Sequence, residues 1–312
     1  MKMNKPTSKK VLITGSTGFI GSHVLRYFQN EGYEVFGVSR YENNESTIKK
    51  DISGNCDWSK ELEDVEIVIH CAAAVHQMKA SEETLKNYED LNITATINLA
   101  EQAKNSVKRF IFLSTIKVMG EKSSEVKFSA NDPTNPQDLY SISKQKAEEE
   151  LKKISNSSKM EIVIIRPPMV YGPNPKGNLE KLSNLIKSNI PLPFGLVKSN
   201  ARSLLYVENL ADFILLCAEH NAAANETFLI SDDEDLSTVD ILINISRALN
   251  KKILLLPIPI FLLKTLFFVI GKKDYVNRLM ENLSVNVEKN KKLLGWRPKF
   301  SANDGFSRSF KS

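Results

Sequence analysis

An apolar strand that runs straight into a glycine turn and then a helix leaves a chain few folds to adopt. Lys10-Val-Leu-Ile-Thr14 reads as a buried strand, Gly15-Ser-Thr-Gly18-Phe-Ile-Gly21 follows, and residues 23–30 carry helical periodicity. Glycines let the backbone turn tightly and approach a pyrophosphate. The helix N-terminus behind them supplies amide donors and the positive end of a dipole. The spacing is G-x-x-G-x-x-G rather than G-x-G-x-x-G, and a glycine triplet alone could be only a tight turn. Strand, turn and helix in this order make a dinucleotide cleft the expectation, with Gly15, Gly18, Phe19, Ile20 and Gly21 against the cofactor.

The next segments continue the rhythm. Residues 34–38 form a second strand and close a βαβ unit. In NAD-binding versions an acid at this strand end accepts from the ribose 2′-OH. Here the end reads Val38-Ser39-Arg40, with no acid until Glu42. A carboxylate would repel a 2′-phosphate, whereas Ser39 and Arg40 can bind one. NADP is therefore placed ahead of NAD; an exposed loop Arg40, or Glu42 swinging in, would restore NAD. Residues 48–52 read as a short third strand whose Asp51 and Ile52 contact the adenine. An apolar strand over 65–71 runs into Ala72-Ala73-Ala74, small enough for a ribose to approach the backbone or for ordinary close packing.

A long helix is expected over 81–105 and a strand over 109–113 ending in Ser114-Thr115. A helix carrying Tyr140 runs to about residue 154, and a sixth strand over 160–165 enters Arg166-Pro-Pro-Met-Val-Tyr-Gly-Pro173. Alternation of this kind predicts an α/β fold: a Rossmann-like, doubly wound parallel sheet with ligands at the C-terminal strand ends. After Gly172 the rhythm breaks. Helices over 178–188, 207–220 and 237–250 (capped by Ser237) and a strand over 226–230 predict a smaller C-terminal substrate-binding α/β domain. The division expected is 1–167 for the dinucleotide lobe, with a return segment near 203–232, and 168–312 for the substrate lobe.

Tyr140-Ser-Ile-Ser-Lys144 places a phenol and an ammonium one helical turn apart on one face. A free phenol titrates near ~10. A neighbouring cation lowers that value and readies the group for proton transfer. The motif alone is equally an ordinary helix with a solvated lysine.

Composition narrows the partners. The formal charge of +5 is spread without a basic block interleaved with aromatics, which argues against nucleic acid and suits an anionic small substrate. Cys56, Cys71 and Cys217 are odd in number and widely spaced, as expected of a reducing, cytoplasmic protein without a disulfide framework. Neither they nor the four histidines show ligand spacing, so no metal is expected. The basic start, 1–10, lacks a signal-peptide core. Residues 254–270 are apolar but hold Pro257, Pro259 and Lys264, and fall short of the roughly 20 residues a membrane span needs. A strand end and a packed helix are expected there, with interfacial attachment the minor alternative.

Taken together, Gly15-Ser-Thr-Gly-Phe-Ile-Gly21, Ser114-Thr-Ile-Lys-Val-Met-Gly120, Tyr140-Ser-Ile-Ser-Lys144 and Arg166-Pro-Pro-Met-Val-Tyr-Gly-Pro173 occur in the order and spacing of a known family. The chain resembles the extended short-chain dehydrogenase/reductases, the NAD-dependent epimerase/dehydratase family acting on nucleotide sugars. The similarity runs from about residue 10 to 300 and ends with Leu293-Leu-Gly-Trp-Arg-Pro298. The resemblance implies that Thr115 hydrogen-bonds the reacting oxygen, Tyr140 is the acid/base, and Lys144 binds the nicotinamide ribose. It implies that Pro167 passes beside the nicotinamide, Asn178 and Arg202 contact the UDP-sugar diphosphate, and Phe194 covers the uracil; plain core packing is the alternative for Phe194. Family members often dimerise through helices equivalent to 81–105 and 140–154. The chain departs from the family pattern at Met119, usually Tyr, and Met169, often Asn, and Lys117 is a charge beside Thr115 facing either solvent or substrate. The functional expectation is NADPH-dependent reduction of the C4 keto group of a UDP-4-keto-6-deoxy-N-acetylhexosamine. An NAD-dependent UDP-hexose 4-epimerase comes second, and a non-catalytic dinucleotide-binding module last.

Overall fold

The computed structural model describes residues 9–41, 46–75, 82–175, 177–269, 271 and 278–310. The chain opens with β1 (Lys10–Thr14), α1 (Phe19–Asn30), β2 (Glu34–Ser39), β3 (Thr47–Lys49) and β4 (Val65–His70). A helical run follows as α2 (Glu82–Tyr88), a π-helical turn (Glu89–Thr94) and α3 (Ala95–Ala103). Then come β5 (Arg109–Leu113), a 3-10 turn (Ile116–Val118), α4 (Leu139–Asn156), β6 (Glu161–Arg166) and β7 (Met169–Tyr171). The second half holds α5 (Asn178–Lys187), β8 (Arg202–Tyr206), α6 (Val207–Glu219), β9 (Thr227–Leu229), β10 (Asp235–Leu236), α7 (Thr238–Ala248), α8 (Ile260–Val269), α9 (Glu288–Leu294) and α10 (Ala302–Phe310).

Seven strands form one sheet in the order β3-β2-β1-β4-β5-β6-β9, every neighbouring pair parallel. Alternate side chains explain why both faces are covered. Val11, Ile13, Ile67, Ile69, Ile111 and Val163 pack with α1 and α6 on one face. Leu12, Val68, Phe110, Phe112, Ile162 and Ile164 pack with α3 and α4 on the other. Fully burying one such aliphatic or phenyl group is worth about 1.5–3 kcal/mol. This is the Rossmann-like doubly wound sheet that the strand–helix alternation predicts.

The third expected strand, 48–52, is shorter than its apolar residues suggest: β3 ends at Lys49, and Asp51 and Ile52 lie in the loop beyond it. The expected helix over 81–105 is interrupted by the π turn at 89–94. After β6 the chain forms a smaller three-stranded sheet, β10-β8-β7, and a separate core around Leu182, Phe194, Leu204, Leu242 and Phe306. Between them β9 returns to the main sheet and pairs with β6 through Ile164↔Thr227, Ile165↔Phe228 and Arg166↔Leu229.

Candidate active site

The glycine turn is held where only glycine fits. Gly15 has φ +67°, and a Cβ on it would stand 2.8 Å from the Ala72 nitrogen. A Cβ on Gly21 would stand 2.1 Å from the Gly15 carbonyl oxygen, a backbone atom that cannot swing aside. Gly18 donates its amide to Gly15 O at 2.9 Å and N-caps α1, with no side chain closing the cap. The first-turn amides of α1 are thus left for an anion. Gly15, Gly18, Ser39, Arg40, Ile52, Ala72 and Ala73 line one cleft. Sequence reading missed Thr17, Lys50 and Leu91 on its wall, of which only Thr17, inside the glycine motif, carried a signal.

At the end of β2, Ser39 is buried and its hydroxyl is paired with Thr17 Oγ1 at 2.8 Å, while accepting the Tyr41 amide at 3.2 Å. Arg40 is exposed, its guanidinium 5.4 Å from the Tyr41 ring. Glu42 lies outside the described residues. Asp51 bends into its own loop, where the Ser53 amide at 3.0 Å and the Ser53 hydroxyl hold its carboxyl below the ordinary range. Phe19 stacks edge-on with His23 and lines an adjacent hollow, and Ile20 packs into the core. The side chains of Asp51, Phe19 and Ile20 do not line this cleft, because local turn bonds and core packing claim them; Phe19 and Ile20 keep only their first-turn amides for a cofactor.

A directed hydrogen-bond chain fixes the floor. The Ala72 amide donates to Thr14 Oγ1 at 3.3 Å, and Thr14 Oγ1 meets His70 Nδ1 at 2.7 Å. His70 Nε2 meets Thr96 Oγ1 at 2.9 Å, and that hydroxyl donates to Asn92 O at 2.9 Å. Each hydroxyl has one proton, so the chain is consistent only with His70 protonated on Nε2 and accepting on Nδ1. Burial drives the imidazole pKa down to about 3, with Lys144 adding, so His70 is a neutral strut.

The second half of the site hangs on α4. Asp138 caps it by a reciprocal pair: its carboxylate accepts the Ser141 amide at 2.7 Å, and the Asp138 amide donates to Ser141 Oγ at 3.1 Å. Lys117 pairs with Asp138 and, at 2.7 Å, with Glu121, so the charge beside Thr115 is committed to protein carboxylates. Burial pushes the Asp138 carboxyl up, but Lys117 and Ser141 outweigh it and leave the pKa at about 2. Asn92 is fully buried in the π turn. It accepts the Ala74 amide at 2.8 Å and donates to Ala74 O at 3.1 Å and to Ser143 Oγ at 2.9 Å. Ser143 in turn donates to Tyr140 O at 2.7 Å. Asn92 therefore ties the wall after β4 to the first turn of α4, a role no sequence motif announces.

Tyr140, Lys144 and Glu148 follow one another at successive turns of α4. Lys144 is 1 % exposed, with its ammonium 4.0 Å from the Phe112 ring centroid. Burial lowers its pKa to about 7 against the pull of Glu148 and Cys71. Cys71, just beyond β4, lines the glycine cleft. The expected depression of the phenol by Lys144 is not found. Burial raises Tyr140 above the ordinary phenol value, and Asp138 and Tyr88 raise it further. The reason is desolvation of both groups in a helix turn packed on the sheet, and Lys144 is itself partly discharged. In this state Tyr140 is a proton donor.

Beneath these residues Arg166 and Glu148 form a buried ion pair, which also receives the Ser114 hydroxyl, and Arg166 Nη1 reaches Met119 Sδ at 2.9 Å. Met119 thus fills the position of the family's tyrosine as a soft acceptor for a buried guanidinium. Thr115 is 9 % exposed and N-caps the 3-10 turn through the Lys117 amide at 3.3 Å. The next amide, Ile116 N, donates to Pro167 O at 2.9 Å, which sets Thr115 beside the Pro167 segment at the ends of β5 and β6.

The residues expected to contact the substrate are spread over the second half of the chain. Asn178 is exposed at the first turn of α5, and Met169 is half-buried in β7. Phe194 is 4 % exposed in that half's own core, its ring 6.4 Å from that of Phe267. Arg202 begins β8, its Nη1 donating to Arg278 O at 2.6 Å and Glu281 O at 3.1 Å. None of these lines the glycine cleft.

The glycine turn, the uncapped α1 and the small-residue wall at Ala72 and Ala73 fit a nicotinamide dinucleotide. When bound, such a cofactor supplies a hydride acceptor and donor, and in its oxidised form a positively charged ring. A parallel sheet carrying that cleft, with Thr115 just beyond β5 and with Tyr140 and Lys144 on the α4 helix packed against it, is the arrangement of a dehydrogenase-type enzyme. The family model for the NAD dependent epimerase/dehydratase family matches residues 11–231, and the chain belongs to that family. It is 40 % identical to a UDP-glucose 4-epimerase of Vibrio cholerae over 96 % of this chain and 94 % of that protein. It is 30 % identical to the N-acetyl-alpha-D-glucosaminyl-diphospho-ditrans,octacis-undecaprenol 4-epimerase of Escherichia coli O157:H7, over 86 % of this chain and 82 % of that one. Among solved structures, the UDP-glucuronic acid 4-epimerase of Bacillus cereus in complex with NAD superposes with a TM-score of 0.78 at 23 % identity, covering 96 % of this chain and 97 % of that chain. The protein is accordingly a nicotinamide-dinucleotide-dependent enzyme of the nucleotide-sugar epimerase and dehydratase type.

Proposed function

We propose that the chain is a UDP-hexose 4-epimerase that keeps NAD bound through turnover. The observation that carries this reading is the 40 % identity with the Vibrio cholerae UDP-glucose 4-epimerase across nearly the whole of both chains. It reverses the order in which the sequence alone ranked epimerase and NADPH-dependent reductase.

In this reading Tyr140 would be brought to its phenolate by the positive charge of the oxidised dinucleotide and the Lys144 ammonium beside it; it then takes the C4 hydroxyl proton as the C4 hydrogen leaves as hydride, and Thr115 holds the same oxygen. The 4-keto sugar turns over in the site, and Tyr140 returns the proton to the oxygen when hydride comes back to the opposite face. Lys144 orients the nicotinamide ribose at the cleft. Asn178 and Arg202 hold the diphosphate and so fix C4 relative to the cofactor. Pro167 passes beside the nicotinamide and Phe194 backs the uracil pocket from the lobe core. A homodimer through the α2–α3 run and α4, an arrangement common among family members, is expected and is read from the mass in solution.

The test is to denature the purified protein, identify the released dinucleotide, and assay UDP-glucose and UDP-N-acetylglucosamine without added cofactor. Co-purified NAD and interconversion with the galacto epimers support the proposal. The Ser39-Arg40 end of β2, with no acid among its described residues, favours the reductase as second reading. An enzyme that epimerises nothing unaided, and consumes NADPH only with a UDP-4-keto sugar, would establish that second reading and overturn the first.

A further inference from the structure

The helix α8 is apolar on the side that should be polar. At about 3.6 residues per turn, Leu263 and Phe267 fall on one side, where Leu263 is fully buried and Phe267 meets Phe194. The opposite side carries Phe261, Leu262, Phe268 and Val269, which are 67 %, 48 %, 66 % and 77 % exposed. A surface helix normally shows polar residues there.

This face continues into the chain before it. Leu254 and Leu256 are exposed and lead through Pro257 and Pro259 into α8. They run beside the loop after α5, with the Leu192 amide donating to Leu254 O at 2.9 Å and the Leu256 amide to Leu192 O at 2.8 Å. That loop adds exposed Ile190 and Leu196. Contiguous apolar surface of this kind marks an interaction site.

The charges in the segments that build it are of one sign. Residues 181–207 and 241–269 contain no Asp or Glu; every charged residue in them is Lys or Arg. Lys187, Lys198, Lys251, Lys252 and Lys264 are exposed around the apolar residues. A second protein copy would set these lysines against each other. An anionic lipid surface would attract them while the phenyl and leucyl groups enter the acyl boundary. At about 15 Å, α8 is half the ~30 Å hydrocarbon thickness, so it lies in the interface and does not cross it.

We propose that α8, with the paired segments 190–196 and 252–256, docks the protein on the surface of an anionic phospholipid bilayer. The proposal is independent of which nucleotide sugar the active site takes.

Sedimentation with vesicles tests it. The purified full chain should pellet with phosphatidylcholine–phosphatidylglycerol vesicles, much less with phosphatidylcholine alone. The F261S/F268S/V269S variant should lose binding by about tenfold or more while its thermal transition and cofactor content stay unchanged. The K251E/K252E/K264E variant keeps the apolar face and should lose the preference for the anionic vesicles. Absence of wild-type binding to either vesicle would overturn the proposal. So would a wild-type dimer that both fails to bind vesicles and falls to monomer in the F261S/F268S/V269S variant, since the second copy would then be the occupant. Vesicle binding untouched by both variants would place the contact elsewhere and overturn it as well.

Discussion

Two residues carry the proposed chemistry, and burial pushes both toward their neutral forms. Tyr140 is held protonated by burial, with Asp138 and Tyr88 adding to the effect, and Lys144 is brought down to about 7 by its own burial. Tyr140→Phe removes the only proposed proton carrier while leaving the glycine cleft intact. Turnover should fall by about 10³-fold with the dinucleotide still co-purifying, checked by steady-state assay and release of the cofactor. Lys144 makes a separate, pH-dependent prediction. Above pH 10.5 the amine is neutral folded and unfolded, so burial costs nothing. Between 10.5 and about 7 the unfolded chain binds the proton and the folded one does not, so stability falls as pH falls. Lys144→Met should therefore stabilise the cofactor-free protein most at and below pH 7, and the gain should shrink toward pH 10.5, read from urea midpoints across that range. The same variant should lose activity if the amine holds the ribose.

At the scale of elements, the site depends on close backbone approach at one turn and on a polar tie at another. Gly21→Ala puts a methyl carbon 2.1 Å from Gly15 O, so α1 must move off the turn. Cofactor retention should be lost, and the melting temperature should drop by several degrees on the scale of a ~1–3 kcal/mol overpacking penalty. Asn92→Ala leaves the Ala74 backbone and Ser143 without their buried partner. It should cost about 1–3 kcal/mol and lower kcat more than it raises KM, because it loosens the turn that carries Tyr140 and not the substrate lobe.

These elements also show what the sequence made legible. The strand–glycine–helix opening and the α4 helix were readable because their signals are local: periodicity, turn glycines and a four-residue spacing. Asn92 was not, because its partners at Ala74 and Ser143 are distant in sequence, and an asparagine inside a helical run looks like surface. The raised phenol was misread for the same reason. Helical spacing shows which residues share a face but not how much water reaches it. Phe194 and Arg202 could be named from their motifs, yet their pairing with Phe267 and with the 278–281 carbonyls is tertiary information.

At the scale of the whole molecule, the lobes are tied together by buried polar contacts. Asp232 accepts from Tyr171 Oη at 2.8 Å, from the Tyr206 amide at 2.9 Å and from Asn209 Nδ2 at 2.7 Å. Asn209 also pairs both ways with the Phe300 backbone. Burial lifts the Asp232 pKa to about 6 despite those donors. Trp296 reaches Asp212 at 2.8 Å and packs on Phe213, which brings the end of the chain back onto α6 beside the large sheet. The strand between β10 and β7 in the small sheet is followed directly by α6 and then β9, so the large sheet is finished by residues from the second half.

That last feature sets a schedule for synthesis. When residue 166 has left the ribosome, β6 still presents an unpaired row of amides and carbonyls, and nothing made so far can cover it. Closure waits for residues 227–229, some sixty positions later. Until then the nascent chain carries an open sheet edge of the kind that recruits other strands. A fragment ending at residue 200 should aggregate on expression, whereas one carried through α10 should stay dispersed; equal solubility of the two, by sedimentation of lysates, would show that β9 is dispensable as a cover.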